Sequence, residues 1–176
     1  MRIKKSTLVR IIVFLLIVSV VLTGCGRNNM DFDFAKIFAN EYLDDLSLTI
    51  YYINPFTFIS FGAPLSGEDL IDIRDEKIVI YGNELKKSIE LFKQINSDIL
   101  RPASGRQDEP HIRLYYVLES RVNGRLIDVV MWGRRDGIIF NGVEVEEHYI
   151  FYDIVLPFLP ESIAELFEVF RDRSIK

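Results

Sequence analysis

The sequence predicts an α+β fold: an antiparallel sheet of hairpins and a meander, packed by helices on one face. Two observations carry this reading. Three turn dipeptides, Asn123-Gly124, Asp136-Gly137 and Asn141-Gly142, separate β-branched and aromatic runs within twenty residues, as two-residue hairpin turns of primed type require. Before and after those runs, apolar residues recur at spacings of three and four, the mark of helices with one buried stripe. Strand runs with helices between and after them give α+β rather than a regular β-α alternation.

The elements follow in order. Asp33 is placed to cap a first helix that carries Phe34, Ile37, Phe38 and Tyr42 on one face and ends near Asp44-Asp45. Residues 48–53 are β-branched and aromatic and read as a strand, stopped by Asn54-Pro55. Residues 56–61 read as a second strand that closes a first hairpin before Gly62. Residues 63–76 suit either a helical turn starting at Ser66 to Leu70 or a loop, and 77–81 form a short apolar strand. Gly82-Asn83 offers a turn and an N-cap. From there Leu85, Ile89, Phe92 and Ile95 mark one helix face, with Lys86, Lys87, Glu90 and Lys93 on the other. Residues 101–110 are polar with two prolines and read as a loop.

In the second half Ile112, Leu114, Tyr116 and Leu118 alternate with Arg113, Tyr115, Val117 and Glu119, the period of a strand. The three turns then divide residues 126–132, 138–140 and 143–145 into a meander. Phe151, Ile154 and Val155 share a face before Pro157, and Pro160 opens a last helix striped by Ile163, Leu166, Phe167 and Phe170. Strand order does not follow from these patterns.

Residues 1–24 stand apart. A basic start (Arg2, Lys4, Lys5, Arg10) precedes an apolar run over 11–21 broken only by Ser19, the order of an export signal. The run is shorter than the about 20 apolar residues a membrane-crossing helix needs. Leu22-Thr23-Gly24-Cys25 resembles the lipobox of bacterial lipoproteins, and a plain secretory signal leaves unexplained why the single cysteine follows it directly. The resemblance covers residues 1–25 alone. It implies that 1–24 are a signal peptide, that Cys25 is lipidated and opens the mature chain, and that the protein is held at the cell membrane, facing the extracytoplasmic side. Two acyl chains anchor stably where one is marginal. Residues 25–32 would then be the lipidated cysteine and a short tether, holding the single domain 33–176 within about 30 Å of the bilayer.

Without residues 1–24 the chain has 152 residues, 17 positive and 26 negative charges, and a net charge of −9. Phosphate backbones and anionic head groups repel such a surface, so nucleic acid is not an expected partner. With Cys25 modified no thiol remains for a disulfide or a nucleophile. The expected partners are the membrane, through the lipid anchor, and an envelope protein or cell-wall component.

Candidate chemistry is sparse. His148 with Glu144 and Glu146 allows a metal site on a strand, since alternate residues share a face, but no recognised ligand spacing supports it, and acids beside a helix start are common. Ser104 with His111 is a loop pair without a third member. Arg134-Arg135 reads as a charged turn, and Asp44-Asp45 and Glu68-Asp69 as surface acids. The aromatic pairs Tyr51-Tyr52 and Tyr115-Tyr116, with Tyr149, are the nearest thing to an interaction surface; in each pair the rings point to opposite faces. No catalytic, cofactor or metal residue is assigned. The expected function is a binding or protein-interaction module at the cell surface. The alternative is an envelope enzyme acting on a cell-wall or lipid-linked substrate, with His148, Glu144 and Glu146 as its chemistry.

Overall fold

The computed structural model describes residues 34–38, 41–58, 66–74, 76–103, 112–132 and 138–175. The chain separates into two units, Met1–Met30 and Asp31–Lys176, and the described residues all belong to the second. Cys25 and the tether therefore lie outside the described residues, as do Asp33, Ser104, His111, Arg134 and Arg135.

In chain order the elements are α1 (Phe34–Phe38), β1 (Leu46–Tyr52), α2 (Gly67–Ile73), β2 (Glu76–Tyr81), α3 (Lys86–Phe92), β3 (Ile112–Ser120), β4 (Gly124–Trp132), β5 (Ile138–Phe140), β6 (Val143–Val145), α4 (Ile150–Asp153) and α5 (Glu161–Arg173). Short 3₁₀ turns precede β1 and α3 and follow α4. The six strands form one antiparallel sheet in the order β2-β1-β3-β4-β5-β6. This is the α+β, meander-based sheet that the sequence predicts.

One face carries the main helical layer. Leu48, Ile50, Tyr116, Leu118, Val129 and Phe140 point into it and are buried. Phe34 of α1 meets Phe140 at 5.9 Å, Phe92 of α3 meets Tyr116 at 6.3 Å, and Phe151 of α4 meets Phe140 at 6.0 Å. Two buried hydrogen bonds lock this layer: the Tyr116 hydroxyl donates to the Phe151 carbonyl at 3.0 Å, and the Ser88 hydroxyl donates to the Ile154 carbonyl at 2.8 Å. The side chains of the α3 stripe, Leu85, Ile89, Phe92 and Ile95, are all buried.

The opposite face has its own smaller core, in which Leu70 of α2 packs with Ile53, Ile112, Tyr115, Val117 and Val130. The sequence left 63–76 open between helix and loop. A capping box decides it: Ser66 Oγ accepts from the Asp69 backbone N–H at 3.1 Å and the Asp69 carboxylate accepts from the Ser66 N–H at 2.7 Å. Gly67 lets this helix approach the sheet, since a Cβ there would lie 3.0 Å from both Tyr115 Cδ2 and Val130 Cγ2.

A bulge in β3 links the two cores. The register shifts between Ile112 and Leu114, so one extra residue reverses the parity and Ile112 turns to the α2 side. Arg113, at the shift, is 4% exposed; its Nη1 donates to the Ile112 carbonyl at 3.0 Å and its Nη2 to the Thr57 carbonyl at 3.1 Å.

Four expectations need correction. The first helix is the five residues of α1, and Tyr42, placed on its apolar face by spacing, is 77% exposed. Residues 56–58 are not a strand: the Asn54 carbonyl and Oδ1 accept from the N–H groups of Thr57 and Phe56 and hold a turn, while 59–61 lie outside the described residues. Asn83 is no N-cap, because it lies inside a 3₁₀ turn. The β3–β4 loop has three residues rather than two, since Ser120 pairs with Gly124, whose φ of 72° sits in the left-handed region. The β5–β6 turn is as read, with Asn141 and Gly142 at φ 46° and 78°.

Candidate functional site

His148, Glu144 and Glu146 do not assemble a site. The His148 Nδ1 accepts from the Ile150 N–H at 3.3 Å, so the imidazole caps the first turn of α4, and its ring lies 4.4 Å from that of Tyr149. Burial lowers the His148 pKa, partly opposed by Asp153. Glu144 stands opposite Ile139 and so shares the face of the smaller core, with its Oε1 buried and unpartnered. Glu146 is exposed, and its backbone N–H donates to the Arg101 carbonyl at 2.8 Å. Among the described residues no three His, Cys, Asp or Glu side chains are placed to hold a metal ion, and no helix is long and apolar enough to cross a membrane.

The aromatic pairs behave differently from one another. Tyr115 and Tyr116 point to opposite faces but both are buried, and burial raises the pKa of each hydroxyl. Tyr52 is buried too, its hydroxyl donating to Glu76 Oε2 at 3.0 Å. Tyr51 is the member that stays partly open. Its ring stacks on Tyr115 at 5.8 Å, and two cations converge on it: Arg74 at 5.5 Å and Lys77 at 5.7 Å from its centroid.

That cluster borders β2, an edge of the sheet. The two edges are treated unequally. On the far side β6 is three residues long and covered: Pro102 bridges to Val145, and the Ala103 N–H donates to the Glu144 carbonyl at 3.3 Å. Short edge strands and prolines are the usual guards against strand addition. β2 is six residues long, has no proline, keeps one unbroken register with β1, and has no second neighbour among the described residues. Its Tyr81 is 63% exposed and its Val79 half-buried. Sequence reading missed this edge because Tyr51, Arg74 and Lys77 belong to three separate segments and meet only through strand order.

A groove of about 470 Å³ lies between α3, α4 and α5, lined by Lys87, Leu91, Asp153, Pro157, Glu168 and Arg171. Arg171 grips Asp153 with two guanidinium nitrogens, and this bonding raises the arginine pKa further. The pair fixes α5 against α4, and the groove's charges are otherwise mixed.

No family model matches the chain, no curated protein matches it, and no solved structure matches it.

Proposed function

We propose that the protein is a lipid-anchored binding module of the cell envelope: Cys25 carries the anchor, and the domain 33–176 engages a protein or cell-wall partner on the extracytoplasmic side. The anchor rests on Leu22-Thr23-Gly24-Cys25 standing after a basic start and an apolar run. The observation that carries the binding reading is the unequal treatment of the sheet edges among the described residues: one is covered by a proline-bearing segment and the other is a regular six-residue strand with no second neighbour, beside a half-open aromatic ring.

The experiment is replacement of Cys25 by serine in cells fed a labelled fatty acid, followed by fractionation and in-cell cross-linking. The label is expected on the native protein and absent from Cys25→Ser, which leaves the membrane fraction. A native protein without label refutes the anchor. Cross-linking of the anchored protein that yields no specific partner counts against the module.

A further inference from the structure

We infer that β2 is a docking edge for an extended segment of another protein, added antiparallel to Glu76–Tyr81 and carrying an acidic side chain opposite Lys77. This rests on the binding-module reading and names its surface and the chemistry of its partner.

Backbone geometry supplies the first part. Each residue of a strand directs its N–H and C=O alternately to the two sides, so β2 offers about three residues' worth of donors and acceptors away from β1. The sheet is antiparallel at every pairing, and an added strand continues it most regularly in that sense. The polar groups of an edge are a template for such addition unless something blocks it.

Side chains supply the specificity. Directly opposed residues share a face, so Lys77, Tyr51 and Tyr115 form one row across β2, β1 and β3. An incoming residue opposite Lys77 extends that row, and Arg74 adds a second positive charge to it, since both cations approach the Tyr51 ring. Neither cation makes an ion pair among the described residues. The acid at the edge, Glu76, is on the other face and accepts from Tyr52. Among the described residues these two cations therefore have no ion-pair partner, and a negative side chain complements them. Further along the same face stand Val79 and Tyr81, which suit apolar neighbours. Read in the partner's own direction, the motif is apolar-x-apolar-x-acidic.

The β2 strand of a second copy does not fit. Pairing β2 with another β2 brings only Lys77, Val79 and Tyr81 to that face, so no register within the strand opposes Lys77 to an acid.

The test uses the full-length protein in detergent with two synthetic seven-residue peptides. Both have threonine on one face and two valines on the other; the third position of that second face is glutamate in one and lysine in the other. Affinity is read by fluorescence anisotropy and location by amide hydrogen exchange. The glutamate peptide is expected to bind about fivefold or more tightly than the lysine peptide, to slow exchange in β2, and to lose its advantage at high salt. Lys77→Glu, an exposed substitution, is expected to reverse the preference, and Val79→Pro to remove binding of both. Equal affinities, protection elsewhere, or a dimer dispersed by either peptide overturns the inference. In-cell cross-links to a partner that map away from β2 overturn it while leaving the binding module standing; absence of both peptide binding and any partner overturns the two together.

Discussion

Gly67→Ala tests whether α2 is fitted to the sheet or merely rests on it. The added Cβ would lie 3.0 Å from Tyr115 Cδ2, 3.1 Å from Tyr115 Cε2 and 3.0 Å from Val130 Cγ2. Neither neighbour yields easily: Tyr115 is 2% exposed and stacked on Tyr51, and Val130 is buried in the same cluster. Forcing a methyl group into a packed site costs about 1–3 kcal/mol. Alanine recovers at most about 1 kcal/mol through helix propensity, and less at a first-turn position. The net expectation is a loss of about 1–2 kcal/mol, or about 2–4 °C in Tm for each kcal/mol in a domain of this size. Urea unfolding at neutral pH measures it, with an unchanged m-value. Val130→Ala in the same background removes one of the two obstacles, so the double variant should be less destabilised than the sum of the singles by about 0.5 kcal/mol or more. A Gly67→Ala protein as stable as the native chain would show that the sheet gives way, and the fitted interface would be wrong.

Three further outcomes are expected. Ser66→Ala removes one half of the capping box and should lower stability by about 1 kcal/mol, with faster amide exchange confined to α2. Tyr116→Phe leaves the Phe151 carbonyl without its buried donor and should cost about 1–2 kcal/mol, read by thermal unfolding. His148 has a folded pKa below its ordinary value, so the unfolded chain binds its proton more readily. Its contribution is present above the unfolded pKa, near 6.5, and fades as pH falls through the histidine range. His148→Asn, which keeps an acceptor for the Ile150 N–H, should therefore lose less stability than the native protein between pH 7.5 and 5.5, measured by urea midpoints at both pH values.

How much of this was legible depends on where the deciding interaction lies. The β5–β6 turn was readable because Asn141 and Gly142 alone fix its two positive φ values. The neighbouring Asn123-Gly124 misled by one residue: the Ser120 hydroxyl accepts from the N–H groups of Val122 and Asn123 and organises a longer loop. Phe56 looked like a strand residue, yet its ring packs on Phe170, far away in sequence. The α+β class needed only periodicity and turn chemistry, whereas strand order came from pairings that no local pattern encodes. His148 drew attention through its acidic neighbours, but the backbone of α4 takes its Nδ1. The β2 edge and its two cations had no sequence signal, since their meaning depends on which strand lies outermost.

That strand order also sets a timetable for folding. From β3 to β6 each strand pairs with its neighbour in the chain, so these hairpins close short loops. β1 meets β3 across a long stretch of chain, since even its nearest pair joins Tyr52 to Leu114, and the entropy of closing that loop has to be met before the pairing gives anything back. The meander is therefore the natural nucleus, with the β1–β2 pair docking late and opening first. Interactions made after the rate-limiting step change the unfolding rate and hardly touch the folding rate. A segment bound at β2 would accordingly announce itself in kinetics as a protein that refolds at its usual speed and comes apart more slowly.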